Sequence, residues 1–152
     1  MISQKIRAIA PEQDPLRMGM GWTVEDLSKP QIMVESTFGD SHPGSAHLLG
    51  LVEEAVAGIE QHHGKAARYF TTDICDGMAQ GHDGINYSLA SRDAICNMIE
   101  IHAGATPFDG GVFIASCDKG MPAHLMGIGR VNIPSIEVAG GVMDAYPLCD
   151  PV

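Results

Sequence analysis

The chain has 152 residues, the size of one domain, with 45% hydrophobic and 18% charged residues, so it can bury a core of ordinary globular composition. Nineteen acidic against nine basic side chains give a formal charge of −10. That surface repels phosphate backbones and anionic lipid, and no Lys/Arg cluster interrupts the trend, which argues against nucleic-acid or membrane partners.

Residues 1–30 carry Pro11, Pro15, Gly19, Gly21 and Pro30 with little periodicity, and read as an irregular lead-in anchored on Trp22. MISQKIRAIA has no continuous apolar h-region and no stretch approaches a membrane span, so the expected compartment is the cytoplasm. From residue 31 short apolar runs alternate with longer helix-like stretches, over a domain expected to occupy 31–152. Gln31–Ser36, Arg68–Ile74, Gly111–Ser116 and Ser135–Ala139 are the predicted strands.

Leu48, Val52, Ala55, Val56 and Ile59 recur at helical spacing between the first two strands, with Ser45 as a cap and Gly64 as a stop. Ser88 or Ser91 opens a second helix carrying Ile95, Met98, Ile99 and His102 and ending near Gly104 and Pro107; a third fits Pro122–Gly129. The predicted class is therefore α/β, a mainly parallel sheet with helices on both faces in three layers.

Ligands in such sheets sit beyond the carboxyl ends of the strands. There the sequence places Gly39-Asp40-Ser41-His42-Pro43, Asp73-Ile74-Cys75-Asp76-Gly77 and Cys117-Asp118-Lys119-Gly120. Cys75-Asp76 and Cys117-Asp118 each set a thiol beside a carboxylate, a pairing able to serve a soft and a hard metal side by side. On the residues alone a plainer account stands beside it, with each Cys a small buried hydrophobe and each Asp a helix cap. Lys119 reads either as a surface ion pair with Asp118 or as a lysine whose lowered pKa suits it to act as a base or carry a modification.

Gly77, Gly81 and Gly84 allow backbone amides to approach an anion or simply make a flexible connection, in neither a dinucleotide fingerprint nor a P-loop. Ser88, Ser91 and Arg92 at the following helix start suit a carboxylate substrate, although Arg92 has Asp93 and Glu100 as alternative partners. Cys96 falls among Ile95, Met98 and Ile99 and reads as core. The histidines form no HxxxH or HExxH arrangement, and the cysteines no CxxC.

The run Cys75-Asp76-Gly77-Met78-Ala79-Gln80-Gly81-His82-Asp83-Gly84-Ile85-Asn86-Tyr87-Ser88-Leu89-Ala90-Ser91-Arg92-Asp93 resembles the DG-x-x-x-G-x-x-GM-x-x-SL-x-SRE signature of the dihydroxy-acid and 6-phosphogluconate dehydratase family. Cys117-Asp118-Lys119-Gly120-Met121-Pro122 is similar to its CDK-x-x-P motif, and Asn132-Ile133-Pro134 with Gly140-Gly141 to the segment that follows. The resemblance runs from about Gly39 to Met143.

It implies a hydro-lyase acting on a small 2,3-dihydroxy acid or sugar acid, with an iron–sulfur cluster, 2Fe–2S or 4Fe–4S, and Mg2+ as cofactors. It implies Cys75 and Cys117 as cluster ligands, Asp76, Asp118 and Lys119 at magnesium, Lys119 as the catalytic candidate and a carbamylation site, and Ser91 and Arg92 toward substrate. Where the dihydroxy-acid branch has PCN-x-HL, this chain reads Pro43-Gly44-Ser45-Ala46-His47-Leu48 and has no thiol. Cys75 takes over in this reading, as in the 6-phosphogluconate branch, which shifts the expected substrate toward sugar acids.

Family members are several times longer, and their third cluster cysteine, catalytic serine and second domain have no counterpart here; Cys149 follows Gly140-Gly141 too closely to match. The partners implied are that missing half, or a second chain supplying it, and a homo-oligomer when complete. The alternative is a non-catalytic metal-binding remnant or partner subunit of a heteromeric dehydratase.

Overall fold

The computed structural model of the protein describes residues 1–143; Cys149 lies outside them. The lead-in is helical where irregular chain was expected: α1 (Ile2–Ile9), α2 (Gln13–Gly19) and α3 (Val24–Ser28). Helices this short are marginal in isolation and depend on partners. Arg7 binds the Asp14 carboxylate at 2.6 Å and donates to Leu27 O, and Ser3 donates to Asp109, 106 positions away. Thr23 and Asp26 close a reciprocal cap on α3. Trp22 is buried with Leu27, Met33, Ala67 and Phe108, as its anchoring role required.

Strand β1 (Gln31–Ser36) is followed by a single turn, α4 (Pro43–Ala46), and then α5 (Leu48–Gln61). Strand β2 (Lys65–Phe70) leads to the short α6 (Asp76–Ala79), a 3-10 turn over Asp83–Tyr87 and the long α7 (Ser88–Ala105). Strand β3 (Gly110–Ala115), α8 (Gly120–Val131) and β4 (Ser135–Ala139) complete the fold. All pairings are parallel, in the order β2-β1-β3-β4. The expected α/β class is observed, with α5 against one face of the sheet and α7 and α8 against the other.

The β2 expectation was displaced: the strand starts at Lys65 and stops at Phe70, rather than running Arg68–Ile74. Register explains the shift, because Gln31 pairs with Lys65 and brings Ala66 and Ala67 into the ladder, while 71–75 leave it. Central strands β1 and β3 are buried nearly throughout, but β4 is largely exposed, since an edge strand has one neighbour. Alternation sends Val34 and Ile114 toward Leu48, Val52 and Val56 of α5. Phe113 goes the other way, onto Ile95, Ile99 and Ala123. Each such side chain contributes about 1.5–3 kcal/mol on full burial.

The chain leaves β1 toward β2 on one side and returns past it to β3 on the other. The carboxyl ends of β1 and β3 therefore face a crevice where consecutive connections diverge, the usual ligand position in open parallel sheets.

Candidate functional site

Three loops meet at that crevice. From β1 comes 37–43, whose His42 caps α4: its Nδ1 accepts the Gly44 N–H at 3.0 Å, which fixes the ring proton of the neutral imidazole on Nε2. Nε2 lies 3.0 Å from both carboxylate oxygens of Asp73, on the loop after β2, and neither side chain has solvent exposure. Ser41 donates to the same carboxylate at 2.9 Å and also bonds Ser45. A Cβ on Gly44 would meet His42 Nδ1 at 2.9 Å and Ser116 Oγ at 3.0 Å. The imidazole thus fills the space that a side chain at 44 would need.

Two residues past Asp73, Cys75 caps α6 in extended conformation, and Asp76 opens that turn. Asp76 Oδ2 accepts from Lys119 Nζ at 2.7 Å and from Ser88 Oγ at 2.8 Å, whereas its Oδ1 is buried without a partner among the described residues. Lys119 also donates to Asp118 at 2.6 Å, so one ammonium clasps carboxylates from two loops. Asp118 and then Asp76 hold the Lys119 amine above its ordinary value, and Lys119 holds Asp118 below the usual carboxylate range. Of the two readings of Lys119 the ion pair is the one observed, because two anions stabilise the charged form.

Cys117 turns off β3 with φ of 65°, a left-handed conformation that a non-glycine residue adopts at a cost and that is enriched at functional sites. Burial pushes its thiol up, and the charges of Asp118 and Asp73 push the same way. Both cysteines thus flank Asp73, one by sequence and one by field. Gly120 begins α8 against the same carboxylate, where a Cβ would lie 3.2 Å from Asp73 Oδ2.

Beside Cys75 opens a groove of about 400 Å3 lined by Ser41, Asp73, Ile74, Met78, Ala79, His82 and Tyr87, with no Lys or Arg among the described residues. The remaining substrate candidates do not join the clasp. Ser91 donates to Ser88 O within its own helix, and Arg92 pairs with neighbouring Asp93. Cys96 is buried in α7, as expected of core.

The matching family model is the dihydroxy-acid/6-phosphogluconate dehydratase N-terminal region, over residues 29–150. The chain belongs to this dehydratase family. It is 46% identical over 124 residues to a dihydroxy-acid dehydratase of Pyrococcus furiosus, covering 82% of this chain and 22% of that protein. Dihydroxy-acid dehydratases of Methanosarcina barkeri and Methanococcus vannielii are each 43% identical, over 88% and 94% of this chain. The chain spans about a quarter of the length of the curated relatives it matches.

Among the described residues no three His, Cys, Asp or Glu side chains converge as a preformed metal cage. The donors fit the family's groups nonetheless. Magnesium is commonly held through one or two carboxylates with substrate and water completing its shell, and the buried orphan Oδ1 of Asp76 is an oxygen awaiting a partner. Thiolate is the usual ligand of iron–sulfur clusters, and Cys75 and Cys117 stand on the loops after β2 and β3, on either side of β1.

Sequence reasoning named the Cys-Asp-Lys residues but not the His42–Asp73 couple, nor Ser88 as the group orienting Asp76. The signal available for His42 was its place directly before Pro43, where a side chain able to accept from the second following amide acts as a cap.

Proposed function

We propose that this chain carries the cofactor-binding half of a dehydratase site that removes water from a small 2,3-dihydroxy acid. Cys75 and Cys117 would ligate an iron–sulfur cluster, and Asp76 and Asp118 would hold magnesium, joined by Lys119 once it is carbamylated, since the ammonium itself has no lone pair to offer a metal. The observation that carries the reading is the Lys119 clasp: carboxylates from the β2 and β3 loops are drawn to one ammonium while Asp76 keeps a buried oxygen unpaired. When bound, the two groups supply Lewis acidity toward a departing hydroxyl and toward a carboxylate with its neighbouring oxygen.

The chain's own residues do the positioning. Ser88 fixes the rotamer of Asp76, and Lys119 holds the two carboxylates at one place by neutralising their repulsion. The His42–Asp73 couple ties the β1 loop to the Cys75 loop. The groove beside Cys75, open to solvent and apolar at Ile74, Met78, Ala79 and Tyr87, suits an alkyl tail, and no cation for a phosphorylated sugar acid lines it among the described residues. This favours an alkyl-substituted dihydroxy acid over the sugar acids suggested by Cys75. The Ser91 and Arg92 assignment has no support in the geometry.

The test is anaerobic reconstitution with iron and sulfide, read as iron and sulfide per chain and by visible absorbance. Cys75→Ser and Cys117→Ser are expected to lose most of both, and Cys96→Ser to retain them, because a hydroxyl is a poor ligand for cluster iron. Equal contents in wild type and Cys75→Ser would reject Cys75 as a ligand.

A further inference from the structure

On the α7 face of the sheet, Glu35 stands in central strand β1 with no exposed surface. Tyr69 on β2 and Phe113 on β3 are its ladder neighbours. The Thr71 hydroxyl donates to Glu35 Oε1. Glu35 Oε2 has no hydrogen-bond partner among the described residues, and neither has Nδ1 of His102 on α7; these two atoms face each other 3.6 Å apart. A carboxylate oxygen and an unprotonated ring nitrogen are both acceptors. A small approach satisfies them together only if one proton lies between them.

Burial disfavours charge on either partner. It pushes the Glu35 carboxyl up to about 7, against the opposing effect of the Thr71 hydrogen bond, and it pushes the His102 imidazole down. The other polar groups nearby leave the pair to itself. Tyr69 lies with its ring 4.8 Å from that of His102, and Arg17 of α2 reaches over Trp22 and Phe108. His124 of α8 packs on the far neighbour Phe113 and is pushed down to about 4 by burial, hence neutral.

We propose that Glu35 and His102 share one proton between Oε2 and Nδ1, making a pH-dependent tether between α7 and the loop that carries Asp73, Cys75 and Asp76. Because Oε1 accepts from Thr71, the acid proton sits on Oε2 and is donated to Nδ1, with the imidazole protonated on Nε2. When Glu35 releases that proton to solvent, the imidazole stays neutral and exchanges its own proton from Nε2 to Nδ1, which then donates to the carboxylate. The ionised carboxylate accepts more strongly from Thr71, the first residue of the loop beyond β2, so the loop is held harder at the higher pH. None of the residues assigned to cluster or magnesium takes part, so the tether stands or falls apart from the dehydratase reading.

The test is a nuclear magnetic resonance titration of the isotope-labelled chain from about pH 5.5 to about 8.5, the range in which such groups change state. It follows the Glu35 carboxyl carbon, the two His102 ring nitrogens and the amides of 71–76. His102 is expected to change tautomer with the same midpoint as Glu35, and the loop amides to shift with them. In Glu35→Gln the His102 tautomer and the loop amides are expected to stay constant across that range. A His102 that keeps one tautomer through the Glu35 transition, or that gains a second proton and forms a plain ion pair, would overturn the proposal. So would loop amides that ignore the transition. Wild type alone decides the matter if Glu35→Gln fails to fold.

Discussion

Replacing His42 by alanine separates a structural couple from an incidental contact. The side chain supplies a hydrogen bond to a buried carboxylate, worth about 1.5–3 kcal/mol when the acceptor is charged. It also supplies the acceptor for Gly44 N–H, worth about 1 kcal/mol as a cap. His42→Ala is therefore expected to cost about 2.5–4 kcal/mol, overlapping the ~3–5 kcal/mol seen when one member of a buried ion pair is removed. Urea unfolding followed by circular dichroism measures this, with an unchanged m value as the sign that the unfolded state is comparable.

Most of that loss comes from Asp73 left buried with only Ser41, so adding Asp73→Ala to His42→Ala should cost far less than the two single losses summed, a coupling of about 1–3 kcal/mol. His42→Asn, which keeps a capping oxygen, should recover only about 1 kcal/mol. Ser91→Ala, away from the couple, should stay within about 0.5 kcal/mol of wild type. A His42→Ala loss below about 1 kcal/mol at constant m would refute the reasoning.

Three further outcomes follow from the same geometry. Gly44→Ala should destabilise by about 1–3 kcal/mol because its Cβ meets the His42 ring and Ser116, and much less in a His42→Ala background; equal costs in both would show that the space is not filled by the imidazole. His124, fully buried and pushed down to about 4, contributes stability that is complete above about pH 6.5 and lost as pH falls toward 4, about 3 kcal/mol in all; His124→Phe should flatten that acid limb of the unfolding free energy, and an unchanged limb would count against it. Glu35 behaves oppositely: pushed up to about 7, its contribution is complete below about pH 4.5 and falls by about 3 kcal/mol as pH rises through 7, so Glu35→Gln should gain on wild type toward pH 8, and parallel pH profiles would disprove it.

Local order in the chain determined a great deal. Gln31–Ser36 and Ser135–Ala139 were legible to the residue, and the apolar stripe through Leu48, Val52 and Val56 defined α5, because periodicity and turn chemistry are properties of neighbours along the backbone. The Cys75-Asp76 and Cys117-Asp118-Lys119 loops were legible too, since a parallel sheet sends the residue after each strand to the same edge.

Only tertiary structure decided the rest. The lead-in helices are too short to announce themselves and exist through contacts such as Ser3 with Asp109. Glu35 reads as an ordinary polar strand position, yet packing on both faces of β1 leaves it no solvent. His42 and Asp73 lie 31 positions apart, and Asp76 and Lys119 lie 43 apart. Which side chains meet across such separations depends on the register of β1 against its two neighbours. That register is a collective result of burying one face on α5 and the other on α7 and α8, and no short stretch of the chain contains it.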